Sequence, residues 1–147
     1  MQLTVVKRYH CDYCRKTGYS AFHMQKHEKH CTMNPLRECR VCSSLLEKTQ
    51  PSFRHLIMML PDWRDFMKKD DYNGDIFPDY NTIEEAVKKV LPRVRDMAEN
   101  CPACIMAALR QAAIPVPSIS DFNFTEEMKG IWAVINEDKQ IHDPDWY

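Results

Sequence analysis

The sequence predicts a mainly α protein in which an amino-terminal ββα zinc finger is packed on or tethered to a small helical body closed by a second, four-cysteine zinc site. Three observations predict it. Cys11-x2-Cys14 is followed, twelve residues on, by His27-x3-Cys31, the ligand spacing of a small finger. Two further C-x2-C pairs, Cys39/Cys42 and Cys101/Cys104, take up the remaining cysteines. Around and after these pairs, apolar residues recur at helical spacing. The expected organisation is a finger at 1–33, a helical body with the four-cysteine site at 34–114, and a linker, carboxy-terminal helix and tail at 115–147.

Composition fits a modest domain with a small module attached. The chain has 147 residues, 44% hydrophobic and 28% charged. Seven cysteines, an odd number, suit metal ligands better than a closed disulfide framework, because three Cys with one His and then four Cys use all seven. No apolar run approaches the roughly 20 residues of a membrane span, and residues 1–10 lack the apolar core of a signal peptide. The expected setting is the cytoplasm, with no membrane partner. The net charge of -1 conceals an asymmetry: residues 1–42 carry +5 and the remaining residues -6. A basic finger can meet a polyanion, while an acidic body disfavours wrapping one around the whole protein.

In chain order, Thr4 to Tyr9 is strand-like and leads into the knuckle Cys11-Asp12-Tyr13-Cys14; Lys16 to Tyr19 returns, with Gly18 near the bend. Ser20 caps a helix to about Cys31, and Tyr19 and Met24 are the expected apolar plugs beneath the metal. On that helix His27 and Cys31, four apart, share a face turned toward the knuckle, which supplies the second ligand pair a tetrahedral ion needs. His30 is the alternative fourth ligand; Cys31 is preferred because a thiolate adds charge neutralisation. The run His27-Glu28-Lys29-His30 fails as a zinc-protease helix, since position i+4 is Cys31. Thr32 to Glu38 reads as a hinge between two metal sites.

The 58 residues between Cys42 and Cys101 are long for a ribbon and are expected to be a folded helical insert. Ser43–Gln50 and Ser52–Leu60 are helix candidates, with a restart at Trp63–Met67. Residues 70–80 read as a polar, aromatic loop; Asp71-x-Asn73-x-Asp75 lacks the Gly and Glu of a calcium loop, having Ile76 and Thr82 at those positions. Thr82 caps a helix with Ile83, Ala86, Val87, Val90, Leu91 and Val94 on one stripe, and Pro92 should kink it. Asn100 caps a helix over Pro102–Ala113. After the linker Ile114–Ser118, a last helix begins near Thr125, buries Met128, Ile131, Trp132 and Ile135, and gives way to a polar tail from Asp138 that includes Trp146.

Cys-Pro-x-Cys at a helix start is also a thiol-oxidoreductase arrangement, but here a helix rather than a strand precedes it and a second C-x2-C is left needing a role. A zinc-stapled nuclease would need histidines between the pairs, and only His55 lies there. With three glycines, no Gly-rich phosphate loop and no nucleophile set, the expectation is that the protein is not an enzyme.

Cys11-Asp12-Tyr13-Cys14, His27-Glu28-Lys29-His30-Cys31, Asn34-Pro35-x-Arg37, Cys39-Arg40-Val41-Cys42 and Cys101-Pro102-Ala103-Cys104 together resemble a group of small zinc-finger proteins typical of bacteriophages and prophages. The resemblance covers the metal framework and not residues 43–95. It implies a phage setting and a ligand pattern, with His27 and Cys31 over His30, and carries no activity.

Two functional expectations follow. In one, the finger binds nucleic acid, with Ser20, His23 and Lys26 at base-reading positions and Lys7, Arg8, Arg15, Lys16 and Lys29 available for phosphates. In the other, zinc is structural and the acidic body is an adaptor or inhibitor aimed at a host protein.

Overall fold

The computed structural model describes residues 1–116 and 119–138, with side chains as far as Val134. Pro117 and Ser118 of the expected linker, the Ile135 side chain and the tail beyond Asp138, Trp146 included, lie outside the described residues. Among the described residues about half are helical, and two small antiparallel sheets make the fold mixed α and β, not mainly α.

The first sheet pairs β1 (Tyr9–His10) with β2 (Thr17–Gly18), in the register Tyr9 to Gly18 and His10 to Thr17. The strand-like run therefore shrinks to its last residue, because Leu3, Val5 and Val6 are exposed and have no sheet to pack on. Helix α1 (Ala21–His30) begins at Ser20, whose hydroxyl accepts the His23 N–H at 3.3 Å. Met24 is buried beneath it as expected. Tyr19 is not a plug: it is 69% exposed, and the Arg8 guanidinium stands over its ring at 5.8 Å, so Tyr9 lines the small core instead.

The helix expected over Ser43–Gln50 is only a single wide turn, Val41–Leu45, closed by the Leu46 N–H on the Val41 carbonyl at 2.8 Å. Gln50 is held elsewhere: its amide oxygen accepts the Cys39 N–H and its amide nitrogen donates to the Arg37 carbonyl at 2.8 Å. Helix α2 (Phe53–Met59) buries Phe53 and Leu56, and a short 3-10 turn, Trp63–Phe66, follows.

Residues 67–78 are a hairpin, where the sequence reading had a loop. Strand β3 (Met67–Lys69) pairs with β4 (Ile76–Pro78), and Gly74 at φ 77° makes the turn that Asp70 and Asn73 brace by accepting the N–H groups of Tyr72 and Asp75. Asn73-Gly74 was the legible signal. The flanking strands are short and exposed, so no alternating pattern announced them.

Helix α3 (Tyr80–Met97) starts at Asp79 instead of Thr82, whose hydroxyl donates to the Asp79 carboxylate, itself paired with Lys68 at 2.6 Å. Ile83, Val87, Leu91 and Val94 are buried as the stripe requires, each fully buried aliphatic contributing roughly 1.5–3 kcal/mol of transfer free energy. Helix α4 (Pro102–Gln111) is preceded by Cys101, not Asn100, as its first boundary residue. Glu99 and Asn100 take φ values of 47° and 56°, turning the chain between the helices, while the Lys48 ammonium donates to the Ala98 and Glu99 carbonyls at the end of α3. Helix α5 (Phe124–Asp138) starts ahead of Thr125, with the Asn123 side chain accepting the Glu126 N–H. Arg95 binds both Glu127 oxygens at 3.0 and 2.7 Å and ties α5 to α3. The main core joins α2, α3, α4 and Met128 of α5 around Cys39, Cys42, Cys101 and Cys104; a second, small core contains Cys11, Met24 and Cys31.

Candidate metal centres

Cys11, Cys14, His27 and Cys31 bring one ligand atom each into a group whose members all lie within 4.8 Å of one another. The hairpin places the first pair. The Cys11 N–H donates to the Lys16 carbonyl at 3.0 Å, and the Tyr13 and Lys16 N–H groups each donate to a cysteine sulfur at 3.4 Å, Cys11 and Cys14 respectively. Such donors stabilise sulfur as thiolate. Helix α1 places the second pair, with His27 Nε2 at 3.2 Å from Cys14 Sγ and Cys31 ending the helix. Glu28 braces the knuckle from the same helix by accepting the Asp12 N–H at 2.9 Å.

His30 points away from this group. Its Nδ1 meets the Glu38 carbonyl at 2.9 Å, so the fourth donor in the cluster is Cys31. Burial and then Lys16 lower the His27 pKa, favouring the neutral imidazole that a metal requires. Burial pushes Cys14 up, but the Lys16 N–H and the thiols of Cys11 and Cys31 outweigh it and hold this thiol below its ordinary range. Cys31, desolvated by burial, is pushed up to about 11.

Cys39, Cys42, Cys101 and Cys104 form the second group, again within 4.8 Å, and every one is at most 1% exposed. Cys39 Sγ is 3.7 Å from Cys101 Sγ, and Cys42 Sγ is 3.4 Å from Cys104 Sγ. A tetrahedral zinc with Zn–S bonds of about 2.3 Å separates its sulfurs by about 3.8 Å, so the cradle has close to the needed size. The amino terminus of α4 contributes its partial positive charge beside Cys101 and Cys104. Without a cation the thiols divide their protons unequally. Hydrogen bonds from Cys101, Cys104 and Cys42 lower Cys39, whereas the same kind of contact, led by Cys101, raises Cys42 and Cys104. Four adjacent thiolates need a divalent cation, and both donor sets suit zinc.

No family model, curated protein or solved structure matches the chain. What stands is the pair of clusters: CCHC and CCCC groups close enough to bind two metal ions, consistent with two zinc sites and with a zinc-finger protein.

The residues expected to touch nucleic acid do not form one surface. Lys16, His23 and Lys26 line a cleft of about 560 Å³ between α1 and helices α4 and α5. Ser20 is engaged as the α1 cap. Arg8 stacks on Tyr19, and Lys29 pairs with Glu38 at 3.0 Å. Lys7 and Arg15 are exposed.

Arg37 is a residue whose role the sequence hid. Read there only within the net charge of residues 1–42 and the Asn34-Pro35-x-Arg37 motif, it is 6% exposed, donates to the His30 and Ala103 carbonyls at 3.3 and 3.1 Å, and stands over the Phe53 ring at 5.4 Å. Gln111 donates to the Thr32 and Asn34 carbonyls at 2.8 and 3.0 Å, and Arg110 to the Thr32 hydroxyl at 3.2 Å. The expected hinge, Thr32 to Glu38, is thus a strap bound to α4 at both of its ends. No helix among the described residues is long and apolar enough to cross a membrane.

Proposed function

We propose that this is a zinc-binding, nucleic-acid-binding accessory protein whose residues 1–33 act as a basic ββα finger. The observation that carries the reading is the charge on the finger surface. Arg15, Lys16 and Lys26 are exposed on a metal-braced hairpin and helix and Lys7 and Arg8 on the segment leading into it, while the Glu28 carboxylate is engaged by the Asp12 N–H. Phosphate contacts by such side chains would give affinity and position, and the finger alone covers too little surface for tight, specific binding. Zinc would hold both ends of the device, Cys11, Cys14, His27 and Cys31 in the finger and Cys39, Cys42, Cys101 and Cys104 in the body. On this reading the chain is a non-enzymatic regulator of the cytoplasm in a phage or prophage setting, organised as 1–33, 34–114 and 115–147, and Cys101 and Cys104 are ligands with no redox turnover.

A salt titration tests it. Binding of short DNA or RNA at low salt should weaken steeply as salt rises. No measurable binding at low salt, or binding indifferent to salt, would sink the proposal.

The adaptor reading, in which a host protein is the partner, has one observation in its favour. Met67, Tyr72, Ile76 and Phe77 leave the β3–β4 hairpin with an apolar exposed surface. It predicts that an Ile76→Lys, Phe77→Lys variant loses a protein partner while keeping zinc.

A further inference from the structure

Resting on the nucleic-acid reading and sharpening its substrate class, we propose that the cleft between α1 and α4/α5 binds a single-stranded polynucleotide, and that the body contributes cations to it. The cleft is lined by five Lys/Arg side chains, Lys16, Lys26, Arg37, Arg40 and Arg110, with no carboxylate among the described lining residues. Two of them, Lys16 and Lys26, stand on the finger; Arg110 stands on α4, on the half of the chain whose net charge is negative. A CCHC site holding zinc carries about -1, which these cations outweigh. Arg37 is buried in the strap and Arg40 has a partner within the chain, so Lys16, Lys26 and Arg110, the last with donors beyond the one it gives the Thr32 hydroxyl, are the cations argued for phosphates.

Geometry selects the strand state. A B-DNA major groove about 12 Å wide only just admits a helix of about 10–12 Å diameter. His23 and Lys26, the face of α1 that would read bases, look into a cleft whose other wall includes Ala103, Met106 and Arg110 of α4. Because the strap holds α4 opposite that face, a duplex would have to clear α4 before its groove could receive α1. A single strand needs no such clearance.

Surface rings supply the other half of the chemistry. A second hollow of about 420 Å³ shares Lys16 and His23 with the cleft and is lined further by Tyr19 and Ser20. Tyr19 and Phe22 are each 69% exposed, and Phe22 meets His23 edge-on at 5.6 Å. Cations alternating with exposed rings are the arrangement that holds phosphates and stacks unpaired bases.

The experiment is fluorescence anisotropy of the zinc-loaded chain against single-stranded DNA, single-stranded RNA and duplex DNA of the same length, across a salt series. Expected is preferential binding of at least one single strand, with a log–log salt slope of about -2 from three phosphate contacts. Lys26→Glu combined with Arg110→Glu should weaken that binding at least tenfold and flatten the slope. Tyr19→Ala should weaken it by about tenfold. Lys89→Glu combined with Arg93→Glu, at two exposed positions of α3, matches the change in net charge, and zinc content with circular dichroism verifies the fold of each variant. Duplex binding equal to or tighter than single-strand binding, or a double variant that binds the strand normally, overturns the cleft proposal and leaves the finger reading standing. Binding to none of the three at low salt overturns both.

Discussion

The first cluster draws its ligands from residues 11–31 and leaves Cys14 and His27 half-buried; the second reaches from Cys39 to Cys104 and buries all four sulfurs in the main core. Local ligands close a short loop, so the first site organises little beyond Met24 and Tyr9. The second closes a loop that contains α2, the β3–β4 hairpin and α3, and its sulfurs touch the same core as Leu56, Ile83 and Ile105. Equal ligand counts therefore carry unequal duties. One metal would shape a surface, and the other would be part of the interior.

The largest way to break that comparison is Cys104→Ser. Removing one thiolate from the buried site forfeits most of a binding free energy that reaches about 10–16 kcal/mol for structural zinc, against a total domain stability of about 5–15 kcal/mol. The expected outcome is loss of the folded body, read as collapse of amide dispersion in NMR and of zinc content from two to at most one. A dispersed spectrum with two zinc ions retained would show that the buried site is dispensable.

Cys31→Ser should have a bounded effect. Residues 9–31 lose hydrogen-exchange protection, the body keeps its own, and zinc content falls by one. Simultaneous loss of protection throughout the chain would mean that the sites form one cooperative unit. The same contrast predicts two-phase release to a chelator in the wild-type chain, the first phase from the exposed cluster, because the buried one opens only with the core.

The ligand framework was legible because tetrahedral coordination constrains spacing tightly, and every cysteine had to be used. The α3 stripe was legible for the same kind of reason, since Ile83, Val87, Leu91 and Val94 obey one period. Boundaries and the hairpin were less so. Asp79 displaced Thr82 as the start of α3 because it also gains Lys68, a partner eleven residues earlier, and residues 67–78 pair through backbone groups that leave no apolar alternation behind. Arg37 and Gln50 could not be found from local pattern at all. Their partners, Ala103 and Cys39, are set by the fold, and a buried guanidinium looks in a sequence like any other basic residue.

Arg37→Ala tests the strap that joins the two sites. It removes a buried charged donor from the His30 and Ala103 carbonyls and the guanidinium from the Phe53 ring, a loss of about 1.5–3 kcal/mol. Denaturant unfolding should show that loss with both zinc ions still bound, and Arg37→Lys should recover part of it. An unchanged midpoint would mean that Gln111 and Arg110 hold the strap without help.

His30→Ala carries the smallest expected effect and the sharpest decision about the first site. The imidazole bonds the Glu38 carbonyl and lies outside the ligand group, so its loss should cost about 1 kcal/mol and leave zinc content at two per chain. His27→Ala, by contrast, should lower that content by one. If His30→Ala also lowers it by one while Cys31→Ser does not, the fourth ligand is His30. The strap would then have to release Glu38 for the metal to bind, which would couple the finger's zinc to the body through a backbone bond rather than through Arg37 alone.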